Sequence, residues 1–235
     1  EAMYLGGGDH IRRLKKSADH LKRKAVFFDL FRQPDQRQRL ADMEKRLQAI
    51  IRQERAVLAE QQGHLDAGDV ECIAGRIETV ADTTWCLGRE LLANMQKIDA
   101  LMDTDRNGMT PETVEVFYNI NAVLNSIDHL EVRGRDSAGM SLMFMLDQAV
   151  FASFETALQQ DADDNVYDLM QRRVETSVLG NQGMDIHTAT GPDGQAYVTI
   201  SIVYKVAAEI GSLGDNIRFI RNEIRNDPIL QTLVG

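Results

Sequence analysis

A chain of 235 residues with 43% apolar side chains can bury a core as one large domain or two small ones. Its 36 Asp and Glu against 26 Lys and Arg leave a formal charge of −10, the wrong sign for a general nucleic-acid surface. No apolar run approaches the roughly 20 residues of a membrane span, and Cys72 and Cys86 are too few for a disulfide scaffold. No basic-then-apolar leader is visible, so no membrane partner and a cytoplasmic location are expected.

The first hundred residues predict helices only. Residues 5–8 are a flexible lead-in, and Asp9 is placed to cap a helix. Ile11, Leu14, Ala18, Leu21 and Ala25 then recur at three- and four-residue steps. The opposite face is basic (Arg12, Arg13, Lys15, Lys16, Lys22, Arg23, Lys24) and, in an acidic chain, is expected to be simply solvated. Pro34 breaks that helix. Asp35 opens a second, with Leu40, Met43, Leu47, Ile50, Ile51, Ala56 and Leu58 on one stripe, ending near Gly63. A third runs from Asp69 to Leu101. Together they suggest an antiparallel helical bundle, or a helical insertion, over residues 1–110.

Residues 103–108 form a polar turn. Asp103, Asp105, Asn107 and Gly108 fit the first half of a calcium loop, but Val114 stands where the bidentate Glu is required. Thr110 then caps a helix with Pro111 at its first position. That helix carries Val114, Phe117, Ile120, Val123, Leu124, Ile127 and Leu130. Ser141–Leu146 predicts a short strand, residues 147–190 a helical insertion, and Tyr197–Val206 a strand rich in β-branched residues. A last helix follows to about Asn226 and ends at Pro228. The expected fold class is α+β, mostly α-helical with a short antiparallel β-hairpin.

The five histidines lack the spacing of a zinc site, and no phosphate-binding glycine loop or nucleophile elbow occurs, so no metal and no cofactor are expected. The two cysteines read as structural thiols. The run that composition does not explain is Leu130-Glu131-Val132-Arg133-Gly134-Arg135-Asp136-Ser137-Ala138-Gly139-Met140, between a helix and a strand. A helix C-cap accounts for Gly134 alone.

This run resembles the Leu-Glu-Tyr-Arg-Gly-Tyr-Asp-Ser-Ala-Gly signature of class II, N-terminal-nucleophile glutamine amidotransferase domains. The version in the glutamine–fructose-6-phosphate aminotransferase (glucosamine-6-phosphate synthase) family is the most similar. Val132 and Arg135 stand where that signature has tyrosines. The strand ending Tyr204-Lys205-Val206-Ala207 before a helix is similar to the family's returning strand.

The resemblance implies a partial amidotransferase-like region over 111–235: signature helix and strand 114–146, insertion 147–190, strand and helix 197–226. It implies that glutamine is hydrolysed and its ammonia passed to a sugar phosphate. The nucleophile would be an N-terminal Cys upstream of Glu1, so no catalytic residue is expected in this chain, and a glutamine-binding His-Thr-Arg-Trp segment would follow Gly235. By the same resemblance Arg133 and Gly134 line the nucleophile's pocket, and Asp136 and Ser137 shape the turn into the strand. A homo-oligomer is expected. The residues by themselves leave a second reading open: a non-enzymatic helical scaffold or oligomerisation module.

Overall fold

A computed structural model of the chain describes residues 4–104, 108–130, 137–161, 165–191, 194–206 and 214–235. The chain forms two compact units, Glu1–Lys97 and Ile98–Gly235. The fold is mostly helical with one small antiparallel sheet, the α+β class that the sequence predicts.

The first unit is helical throughout its described residues. Helix α1 is Gly8–Leu21, α2 is Lys24–Phe31, α3 is Pro34–Gln61 and α4 is Ala67–Trp85. The first predicted helix is thus two helices, broken at Lys22 and Arg23. Asp9 sits in the first turn of α1, with Gly7 as the cap, so its charge and not its cap geometry favours the helix start. Pro34 opens α3 at the first helical position, where its missing N–H costs no bond. Asp66, three residues earlier than predicted, caps α4 by accepting from the Asp69 amide at 2.8 Å.

Past Trp85 the helix widens into a π-helical segment, Cys86–Leu92, before α5, Ala93–Asp99. Leu87, Leu91 and Met95 are buried and spaced by four, a step that overshoots an ordinary 3.6-residue turn. The wider turn keeps all three on the buried side. Ile11, Ile51, Ile77 and Val80 form one core cluster of the unit, with Tyr4, Leu47, Leu58 and Ile73 packed against it.

The second unit begins inside α5, and Leu101 and Met102 are buried. Gln231 holds that stretch: its Nε2 donates to the Leu101 carbonyl at 2.9 Å, and its Oε1 accepts from the Asp103 amide at 2.9 Å. Helix α6, Pro111–Leu130, starts as predicted, with the Thr110 hydroxyl accepting from the Thr113 amide at 3.1 Å. Val114, Phe117, Ile120 and Leu124 are buried, whereas Val123 and Leu130 are exposed.

Strand β1 is Ala138–Asp147. It is followed by α7, Gln148–Gln159; α8, Val166–Thr176; β2, Met184–Thr190; and β3, Ala196–Val206. The sheet order is β1-β3-β2. β1 and β3 pair antiparallel, Ala138 opposite Val206 and Asp147 opposite Tyr197. The end of the predicted helical insertion is therefore β2, which pairs with β3 from Met184–Ile202 to Thr190–Ala196. Its alternation is weak because Ala189 and the threonines are exposed, and pairing to an existing edge outweighs that pattern.

Pro228 does not end the helical part of the chain. It is the first residue of α10, Pro228–Val234, after α9, Asp215–Arg225.

One sheet face carries Val198, Ile200, Ile202 and Tyr204 from the central strand, all buried, with Met140, Leu142, Phe144 and Leu146 opposite them on β1. Helices α7 and α9 pack on β1 and β3, and α8 packs on β2. The other face is open: Met143 is 74% and Met145 70% exposed. Ile200→Ala is therefore expected to cost about 2–5 kcal/mol of stability. Met143→Ala, whose side chain touches mostly water, should stay within about 0.5 kcal/mol. Urea unfolding midpoints of the two variants check this contrast.

Candidate functional site

Ser137, the described residue of the predicted turn, and the end of the returning strand lie at one end of the sheet. Ser137 is exposed and directly precedes β1, whose first residue lies opposite Val206 at the end of β3. Arg133, Gly134 and Asp136 lie outside the described residues, as does Ala207.

At this end a polar network joins four elements. Asp227, fully buried at the cap of α10, accepts from the Ile229 and Leu230 amides at 3.0 and 3.3 Å through Oδ1. Its Oδ2 accepts from Tyr204 Oη at 2.6 Å and from Arg173 Nη1 at 2.7 Å. Arg173, buried on α8, also donates through Nη2 to Gln182 Oε1 at 2.7 Å. Gln182 Nε2 and Asn181 Nδ2 both donate to Glu223 Oε2 on α9, at 2.8 and 2.7 Å. Asn181 Oδ1 accepts from the Lys205 amide at 2.9 Å, and Lys205 Nζ donates to the carbonyls of Val178 and Leu179.

The backbone under this network is tight. Gln182 is left-handed at φ 59, a conformation that disfavours a side chain, and its amide donates to the Val203 carbonyl at 2.7 Å. At Gly183 an added Cβ would lie 1.7 Å from the Ser177 carbonyl oxygen, so only glycine fits. Its carbonyl accepts from the Val203 amide at 3.0 Å, extending the β2–β3 ladder.

Chemically the network is a clamp. Both Asp227 oxygens are occupied, and burial, followed by the Asp227 charge, raises the Tyr204 phenol well above its ordinary value. The Tyr-Lys-Val segment thus has a structural role in its first two residues: Tyr204 anchors inward and Lys205 ties the loop before β2. Sequence reasoning finds Tyr204 and Lys205 but misses Arg173, Gln182, Glu223 and Asp227, which stand in separate segments. Asp before Pro228 was the one local signal, a cap followed by a first-position proline.

Elsewhere the chemistry is sparse. Burial, then a hydrogen bond with Glu90, pushes the Cys86 thiol up to about 11, and Cys72 is exposed. Asp185 and His187 pair at 2.7 Å on the open sheet face. Among the described residues no group of three or more His, Cys, Asp or Glu is placed to hold a metal ion. None of the described helices is long and apolar enough to cross a membrane.

The first unit carries an open groove of about 610 Å³ between α3 and the α4–π segment, lined by Lys45, Arg52, Trp85 and Arg89 among others. Residues 1–97 hold seventeen Lys and Arg against fifteen Asp and Glu, so the chain's acidity resides in the second unit. The overall charge therefore does not decide what meets the basic face of α1 or this groove.

Comparison with family models, with curated proteins and with solved structures gives no match.

Removing the carboxylate at Asp227 would leave Arg173 as an unpaired buried charge. Asp227→Ala is expected to destabilise the second unit by about 3–5 kcal/mol, measured by chemical denaturation. The raised Tyr204 phenol adds a pH dependence. A folded-state pKa above the unfolded value near 10 gives stability that is complete below about pH 10 and lost as pH rises beyond it. Tyr204→Phe should flatten that alkaline loss in thermal melts across the alkaline range.

Proposed function

We propose that this chain is part of a class II glutamine amidotransferase of the glucosamine-6-phosphate-synthase type. Such a protein hydrolyses glutamine and passes the ammonia to a sugar phosphate. The observation that supports this reading is the pairing of β1 and β3. The strand that begins with Ala138 and Gly139 of the run lies antiparallel to the strand that ends in Lys205-Val206, with Gly139 opposite Lys205. The open sheet face gives further support. Exposed Met143 and Met145 suit a sheet that packs against another layer in the whole protein.

In this reading the nucleophile is an N-terminal Cys upstream of Glu1. Its α-amine takes the thiol proton and the thiolate adds to the side-chain amide carbon of glutamine. Ammonia leaves, a thioester remains, and water releases glutamate. Arg133 orients the terminal Cys and Gly134 leaves room beside it. Asp136 and Ser137 hold the turn that delivers both to the end of β1. Neither cysteine of this chain serves: neither is N-terminal, and the Cys86 thiol is held protonated at neutral pH. The location proposed is cytoplasmic.

The second reading, a helical scaffold, is favoured by one observation. The first unit is helical throughout its described residues.

The test is mass spectrometry of the natural polypeptide after reaction with a glutamine analogue that alkylates nucleophilic cysteines. The expected result is one labelled N-terminal Cys upstream of Glu1, with Cys72 and Cys86 unmodified. Arg133→Ala should then lower glutaminase activity by about a hundredfold through lost orientation. A protein with no labelled N-terminal Cys would leave the scaffold reading.

A further inference from the structure

Helix α3 carries an apolar ridge that its own unit leaves uncovered. Met43, Ile50 and Val57 are 49%, 41% and 46% exposed. Leu40 and Ile51 on the same helix are buried, and Leu47 and Leu58 pack on the core of the unit. The predicted stripe therefore splits: Met43 and Ile50 turn outward, and Val57, which was not in that stripe, continues their line.

The exposed half has its own period. Its members stand seven residues apart, nearly two full turns, and so form one line along about 21 Å of helix. A seven-residue apolar line is the seam of helices that pack along their length, and a solvated helix gains nothing from it.

The charges beside the seam select the occupant. Arg46 stands four residues before Ile50 and Glu54 four residues after it. Two antiparallel copies of α3 related by a two-fold axis at Ile50 would set Met43 against Val57 of the partner subunit, and Ile50 against the partner subunit's Ile50. Arg46 would then lie beside the partner subunit's Glu54, and the symmetry would make that ion pair twice. The carboxylate is already oriented: Tyr4 Oη donates to Glu54 Oε2 at 2.7 Å. A parallel pair would put Arg46 against Arg46 and Glu54 against Glu54, which like charges oppose.

We propose that a second copy of this chain docks on the Met43–Ile50–Val57 ridge of α3, antiparallel, on a two-fold axis at Ile50. The inference does not rest on the amidotransferase reading and stands or falls without it.

Sedimentation equilibrium of the chain tests it, with circular dichroism to establish that each variant is folded. The expected result is a dimer that Ile50→Glu converts to monomer. Arg46→Glu should weaken the dimer about tenfold, and the double variant Arg46→Glu with Glu54→Lys should restore it. Oxidative cross-linking in a Cys72→Ser background reads the register. Ile50→Cys should give a disulfide-linked dimer by itself. Met43→Cys should do so only when mixed with Val57→Cys. A chain that is monomeric at about 100 μM overturns the proposal. So does a dimer that survives Ile50→Glu, a double variant no tighter than the single one, or Met43→Cys cross-linking alone.

Discussion

The second unit depends on one buried carboxylate. Asp227 lies where three constraints meet: the start of α10, the inward side of the central strand and the guanidinium on α8. A carboxylate leaves water only if all its lone pairs are met, and here two backbone amides, a phenol and an arginine meet them. The cost of burying the charge is thereby offset, and the directions of the bonds fix how helix and strand approach. The same bonds lie at the end of the sheet where β1 begins at Ala138.

From that anchor the loop before β2 follows. Arg173 passes its second nitrogen to Gln182, and Gln182 and Asn181 hold Glu223 on α9. Gln182 tolerates a left-handed backbone because its side chain is tied at both ends and its amide joins the ladder to Val203. The strain of the turn is spread over hydrogen bonds that the network already needs. A comparable polar pairing lies between α6 and α9, where Arg221 Nη2 donates to Asn121 and Asn125 at 2.9 and 3.2 Å. Burial lowers the pKa of this guanidinium.

The first unit is organised differently, by apolar spacing and not by polar bonds. An aliphatic cluster of Ile11, Ile51, Ile77 and Val80 and the buried phenylalanines of α2 fill its interior, and its long helix still offers apolar surface beyond them. A helix of 28 residues presents more than one face to its surroundings, and the unit covers the face turned toward α4, the π-helical segment and α2. The π-helical segment has a similar origin: a run of buried residues spaced by four asks for a wider turn than an α-helix supplies.

Much of the architecture was legible in the sequence because it is local. Three- and four-residue spacing marked α1, α3, α4 and α6; Thr110-Pro111 marked a helix start; and β-branched density marked β3. These depend on backbone sterics and on the nearest turn of chain, which a linear reading contains. Other features needed the tertiary structure. β2 became a strand because β3 offered it an edge. Pro228 opened a helix because Asp227 was held in place to cap it. Met43 and Ile50, indistinguishable in the sequence from Leu47 and Ile51, were left outside because the inner face of α3 was already filled. Each of these was decided by which distant group happened to lie opposite, and sequence spacing carries no record of that. The sequence by itself determined most of the helices, strands β1 and β3 and the class of fold; the contacts between distant segments decided the third strand, the last helix, the buried clamp and the exposed ridge.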